Sequence, residues 1–218
     1  VLDLDDSRSS VIGDRSIGDN PDQVIAIASA FIKGMNQAGM QATGKHFPGH
    51  GGIFADSHLT FSQDTRPLSE LESHDLLPFD ALKFQLGGIM TAHISFLNVD
   101  KEIATFSKFW LQDILRNKMG FTGVIFSDDL SMKGADYVGG IEVKVGKALE
   151  SGCNMVLVCN DRPAAIEAIN FLEKEKISQS QKVIRLKASQ SISWVDLEKD
   201  ARRIDIIDKL NTIEKLNL

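Results

Sequence analysis

The sequence predicts an α/β protein of the (β/α)8 TIM-type barrel class, with about five βα units legible and C-terminal helices after them. Two observations carry this. Short apolar segments alternate with stretches whose apolar residues recur at helical spacing, and strands joined through helices pair in parallel by right-handed crossovers. The polar residues also fall one way: Asp3 and Asp5, Lys45 and His46, His93, Asp128 and Asp129, and Asn160 and Asp161 all end predicted strands. In a barrel that face of the strands carries the chemistry.

Taken in order, Val1–Leu4 reads as a short apolar strand, and 5–20 as a polar loop holding Gly13-Asp14-Arg15-Ser16. Pro21-Asp22 opens a helix whose Val24, Ile25, Ala28, Phe31 and Ile32 share a face, and Gly39 closes it. A strand from Gln41 to Phe47 runs into Pro48-Gly49, which turn the chain into a loop dense in histidine and glycine. Ser69 to Phe84 carries one helical pattern, and Gly88 to Ile94 a buried strand. Ser107 starts a helix through Trp110, Leu111, Ile114 and Leu115, and Gly123 to Asp129 is a strand ending in two carboxylates. Ile141–Ser151 is helical, Asn154 to Val158 a strand, and Pro163 to Lys174 helical again. From Gln179 the pattern turns polar and helical through Ile204, Ile207, Leu210, Ile213 and Leu216.

Composition narrows the function. With 218 residues, 43% hydrophobic and 25% charged, the chain is ordinary for a globular protein. A net charge of −6 supplies no basic field, which argues against nucleic acid as a partner. No apolar run reaches the roughly 18 residues of a membrane span. Cys153 and Cys159 lie in an apolar stretch and are expected to be buried, inert thiols, pointing to a reducing, cytoplasmic setting. Val1-Leu2-Asp3-Leu4-Asp5 reads as the middle of a fold, with no initiator Met and no signal peptide, so further strands are expected upstream.

The chemistry concentrates in two places. Asp128 leaves its strand where a barrel points side chains at the site, and a carboxylate there can act as nucleophile, general base or metal ligand. Ser127, Asp128 or Asp129 can equally cap a helix, and of two adjacent aspartates one at most faces substrate. In Asp56-Ser57-His58 the carboxylate can accept a hydrogen bond from the imidazole and raise its pKa, making His58 a general acid/base; a surface turn is the plainer reading. A metal site from His46, His50, Asp56 and His58 is weighed and set aside, because Lys45 would repel a cation and helical His spacing is lacking. Arg15 can hold a substrate oxygen or lie solvated, and His93, ending a buried strand, is a satisfied core histidine or a barrel-mouth residue, the structural reading being preferred.

The motifs Lys45-His46-Phe47-Pro48-Gly49-His50-Gly51, Asp56-Ser57-His58 and Val124-Ile125-Phe126-Ser127-Asp128-Asp129-Leu130-Ser131-Met132 together resemble the β-N-acetylhexosaminidases of glycoside hydrolase family three. Val11-Ile12-Gly13-Asp14-Arg15-Ser16 and Ala104-Thr105-Phe106-Ser107 match the family's spacing too, so the likeness runs from Val1 to about Pro163. It is greatest with the bacterial cell-wall recycling group that removes N-acetylglucosamine from peptidoglycan fragments. The resemblance implies a retaining, two-step hydrolysis of N-acetylglucosaminyl-anhydromuropeptides, with no cofactor and no metal. In it Asp128 takes the nucleophile position, and His58, paired with Asp56, replaces the usual second carboxylate as acid/base. Arg15, Lys45 and His46 match positions that hydrogen-bond the sugar's hydroxyl and N-acetyl oxygens, and the loop glycines would let the dyad swing over the substrate.

The departure from the family lies at the front. A whole barrel needs eight units and about 250 residues, and the family's first strands, with an acidic residue that binds the sugar, precede the Val1-Leu2-Asp3 segment. The expectation is a partial barrel over 1–178 with 179–218 as a helical region of the same domain. Two alternatives stay open: a phosphorylase of the same family that uses phosphate as acceptor, and a truncated, non-catalytic sugar-binding remnant, against which the intact Asp56, His58 and Asp128 weigh. Oligomeric state is left open.

Overall fold

The computed structural model describes residues 1–5, 12–50 and 62–216. Four strands, β1 (Thr43–Phe47), β3 (Gly88–Thr91), β5 (Val124–Asp129) and β6 (Met155–Leu157), form one parallel sheet in the order β1-β3-β5-β6. Its register sets Gly44 beside Ile89 and Ile89 beside Ile125. A second, two-stranded parallel sheet pairs β2 (Ser62–Asp64) with β4 (Ile94–Phe96). Each step between neighbouring strands of the main sheet passes through helix, as parallel pairing demands. β1 reaches β3 by way of β2, α2 (Leu68–Ser73) and α3 (Leu77–Leu82); β3 reaches β5 through a π-type helix, Phe109–Lys118; β5 reaches β6 through α4 (Ile141–Ser151). This is part of a TIM-type barrel.

Local chemistry explains the helices. The Asn20 side chain accepts the N–H groups of Asp22 and Gln23, and Pro21 occupies the first turn of α1 (Pro21–Gln37), where its missing N–H leaves no bond unmade. Val24, Ala28 and Ile32, one helical turn apart, are the buried face of α1. Gly39 ends the segment at φ +78, in the left-handed region. The Asp161 side chain accepts the Ala164 N–H at 3.0 Å and so starts α5 (Arg162–Lys174).

The core is aromatic where the two sheets meet. Phe47 of β1 stands edge-on to Phe79 of α3, with centroids 5.5 Å apart, and Phe96 of β4 lies 5.1 Å from Trp110 of the π-type helix. All four rings are fully buried. Together they lock β1 and β4 to the helices behind them.

Three elements differ from expectation. Residues 1–5 are extended but form no strand: Leu2 donates one backbone hydrogen bond to the Lys45 carbonyl at 2.7 Å, alongside β1. The helical pattern of Ser69 to Phe84 breaks into α2 and α3 at His74 (φ −138, ψ −82), because Pro78 cannot sit inside a helix whose turn would run back to residue 74. The apolar run from Gly88 to Ile94 divides at Ala92-His93, β3 staying in the main sheet and β4 leaving for the second. After β6 come α5, a turn over Gln181–Leu186, α6 (Trp194–Lys199) and α7 (Ala201–Leu216). Among the described residues no helix is long and apolar enough to cross a membrane.

Candidate active site at the strand ends

Asp3 organises one side of the site. Its carboxylate accepts the His46 N–H at 3.1 Å, the His50 N–H at 2.8 Å and the His46 ring Nδ1–H at 2.7 Å, and it is buried. Burial alone would raise its pKa, but the adjoining His46 ring and the hydrogen bonds His46 makes to it hold the carboxyl below its ordinary range. An aspartate that accepts from Nδ1 also fixes the His46 tautomer and ring orientation. The His50 ring stands edge-on to that of His46 at 5.7 Å, and burial holds its pKa down. Lys45 is half-buried at the same strand end.

The end of β5 sorts two adjacent aspartates. Asp129 accepts the N–H of Ser131 and of Cys159, each at 2.9 Å, and the Ser131 hydroxyl at 2.8 Å, so its carboxylate is spent in tying β5 to the end of β6. Asp128 accepts one hydrogen bond, from the Asp129 N–H at 2.8 Å, and among the described residues its second oxygen has no hydrogen-bond donor. Its charge acts on both His50 and His93, so the ends of β1, β3 and β5 share one electrostatic neighbourhood. The backbone around it is held from below: His93 Nε2–H donates to the Asp129 carbonyl at 2.9 Å, and buried Lys144 donates to the Leu130 carbonyl at 3.0 Å while pairing with Asp136 at 2.7 Å.

Of the residues picked out from sequence, Asp128, Lys45 and His46 gather at the strand ends. Arg15 is exposed in the turn Gly13–Arg15. Asp56 and His58 lie outside the described residues. Asn160, at φ +57, turns the chain from β6 into α5, and Asp161 is a helix cap. Cys153 is buried as expected; Cys159 is exposed, because β6 ends before it at the rim. Among the described residues no group of His, Cys, Asp or Glu is placed to hold a metal. Sequence reasoning noted Asp3 only as a strand-end carboxylate and gave it no partner; its contacts lie 43 and 47 residues away along the chain.

Residues 1–188 match the model of the glycosyl hydrolase family 3 N-terminal domain. A beta-hexosaminidase from Idiomarina loihiensis is 47% identical over 204 residues, covering 93% of this chain and 62% of the relative. The crystal structure of native NagZ from Neisseria gonorrhoeae superposes with a TM-score of 0.78 at 41% identity, over 87% of this chain and 55% of that one. The same enzyme in complex with N-trifluoroacetyl-D-glucosamine superposes with a TM-score of 0.77. The chain thus spans about three fifths of the length of relatives such as these. On both sequence and fold, it belongs to glycosyl hydrolase family 3.

Proposed function

We propose that this chain is the catalytic part of a retaining β-N-acetylglucosaminidase that removes terminal N-acetylglucosamine from peptidoglycan-derived muropeptides, the N-acetylglucosaminyl-anhydromuropeptides, in the cytoplasm. The observation that carries the reading is the contrast at the end of β5: Asp129 is consumed by structural hydrogen bonds, whereas Asp128 keeps an oxygen without a donor among the described residues. Similarity to enzymes named beta-hexosaminidase, and to a structure holding an N-acylglucosamine analogue, supports the sugar.

In the first step an Asp128 carboxylate oxygen attacks the anomeric carbon while the bond to the leaving sugar breaks. That sugar's oxygen takes a proton from His58. In the second step water attacks the anomeric carbon, gives its proton to His58 and releases Asp128, so one water is consumed and the enzyme is restored. Asp56 orients and charges the His58 imidazole. A histidine acid/base avoids a second full negative charge beside Asp128. Lys45 and Arg15 donate hydrogen bonds to the sugar's hydroxyl and N-acetyl oxygens, and His46 accepts one from a sugar hydroxyl. The Asp3 carboxylate, by taking the Nδ1–H of His46, leaves the other ring nitrogen for the substrate. The barrel part comprises 1–178, and 179–218 is a helical region of the same domain; Ser189 N–H to the Gly39 carbonyl at 3.0 Å is one tie between them.

The test is the stereochemistry of the first product. Proton NMR of a β-N-acetylglucosaminide digest gives the β-anomer of N-acetylglucosamine first if the reading holds, before mutarotation. The α-anomer first would exclude a covalent Asp128 intermediate. Running the digest with phosphate separates hydrolysis from phosphorolysis, since a sugar 1-phosphate would move the assignment to the phosphorylase.

A further inference from the structure

We infer that His93 is a positioning residue for Asp128: from the junction of β3 and β4 its Nε2–H holds the Asp129 carbonyl, and with it the turn that aims the Asp128 carboxylate. The inference rests on Asp128 being the nucleophile. Its basis is a side-chain tie where the ladder between β3 and β5 stops. Met90 pairs with Phe126, and carrying that register three residues on sets His93 beside Asp129. The main-chain ladder cannot reach so far, because β3 stops at Thr91 and the chain leaves for the second sheet as β4. The Asp129 carbonyl accepts the Met132 N–H at 3.1 Å in the turn that follows β5, and a carbonyl has a second lone pair for another donor. The imidazole supplies that second donor at 2.9 Å and so ties the turn back to the junction of β3 and β4.

The ring is itself held at both nitrogens. A carbonyl can only accept, so Nε2 carries the proton. Complete burial pushes the His93 pKa down, against the pull of Asp128 and Asp129, and keeps the ring neutral, so Nδ1 is the acceptor. The Thr105 hydroxyl shares its proton between Nδ1 at 2.9 Å and the Ala92 carbonyl at 3.1 Å, and the Thr91 hydroxyl donates to Thr105 at 2.7 Å. Phe106 stacks on the ring at 6.2 Å and 26°. The line runs through the side chains of Thr91, Thr105 and His93 and ends on the backbone carbonyl of Asp129 in β5, the residue next to Asp128. Such support matters because a displacement of about 1 Å in an attacking group costs on the order of a hundredfold in rate.

The experiment uses 5-fluoro-N-acetylglucosaminyl fluoride on the full-length protein. Fluoride departs without a proton donor, so the rate of covalent labelling reads attack by Asp128 and leaves His58 out. His93→Leu fills the space but removes the donor; His93→Gln restores one; Thr105→Val removes the hydroxyl that sets the tautomer. Expected is a labelling rate reduced roughly 10- to 100-fold in H93L at saturating reagent. The half-saturating concentration stays near that of the wild type, H93Q recovers most of the rate, and T105V lies between. A structural role alone would not make the rate follow the donor in this way. Wild-type labelling in a folded H93L, or H93Q as slow as H93L, would overturn the inference. If H93L fails to fold, T105V decides it: slowed labelling supports the inference and an unchanged rate overturns it. A wild type that takes no label would overturn the nucleophile assignment and this inference with it.

Discussion

Asp128 and Asp129 are chemically identical neighbours, and their hydrogen bonds divide the work between them. Asp128→Asn removes the carboxylate oxygen proposed to attack yet keeps an acceptor for the Asp129 N–H. We expect it to lower hydrolysis on the order of a thousandfold or more while the urea midpoint stays within error. Asp129→Ala breaks the bonds to Ser131 and Cys159 together. It is expected to cost about 2–3 kcal/mol of stability by urea unfolding, at about 1 kcal/mol per bond. Asp3 is a different kind of carboxylate, fully buried and serving three donors of His46 and His50. Its removal leaves those donors orphaned, so Asp3→Ala should cost about 3–5 kcal/mol in the same measurement. A cost under 1 kcal/mol would mean that the His46 pair is only a surface contact.

The legibility of the elements followed the range of the forces that make them. α4 was readable to its bounds, Ile141–Ser151, because Gly140 and Gly152, the latter at φ +126, punctuate it locally. The break between α2 and α3 had a local signal too, in Pro78, that the apolar repeat across Leu71, Leu76, Leu77 and Phe79 concealed. The division of β3 from β4 had none, since both halves are apolar and only tertiary pairing sends them to different sheets. Strand-end polar residues pointed to one face of the sheet, but which of them are tied together depended on partners far along the chain, as with Asp3. A more local device braces the connection between β2 and α3. Arg66 grips Asp64 at 2.7 Å and Asp75 at 2.8 Å, both carboxylates being buried, and Asp75 lies so close to Gly49 that a side chain there would strike it at 2.8 Å. Arg66→Ala strands two buried charges, and we expect a loss of about 3–5 kcal/mol by urea unfolding. Lys at this position cannot form both forks and should recover only part of it.

Across the molecule the buried histidines give stability a pH signature. Burial holds His50 and His93 below their ordinary pKa, so the unfolded chain binds protons that the folded chain refuses once the pH falls below about 6.5. Asp3, depressed by its contacts with His46, contributes stability above about pH 3.9 that is lost as the pH falls through its folded value. The melting temperature should therefore hold level above pH 7.5, decline from about 6.5 to 5, and decline again below about 4. H93Q should flatten the first decline, and a curve level from pH 7 to 5 in the wild type would show that these rings are protonated in the fold. The partial barrel brings β1, β3 and β5 together at one end, and the proposed reaction has the sugar meet Asp128 there. The most direct measurement is intact-mass spectrometry after incubation with 5-fluoro-N-acetylglucosaminyl fluoride, followed by peptide mapping. The account predicts a gain of one fluorosugar on the peptide holding Asp128, absent in Asp128→Asn; a label on any other side chain, or none on a folded protein, would contradict it.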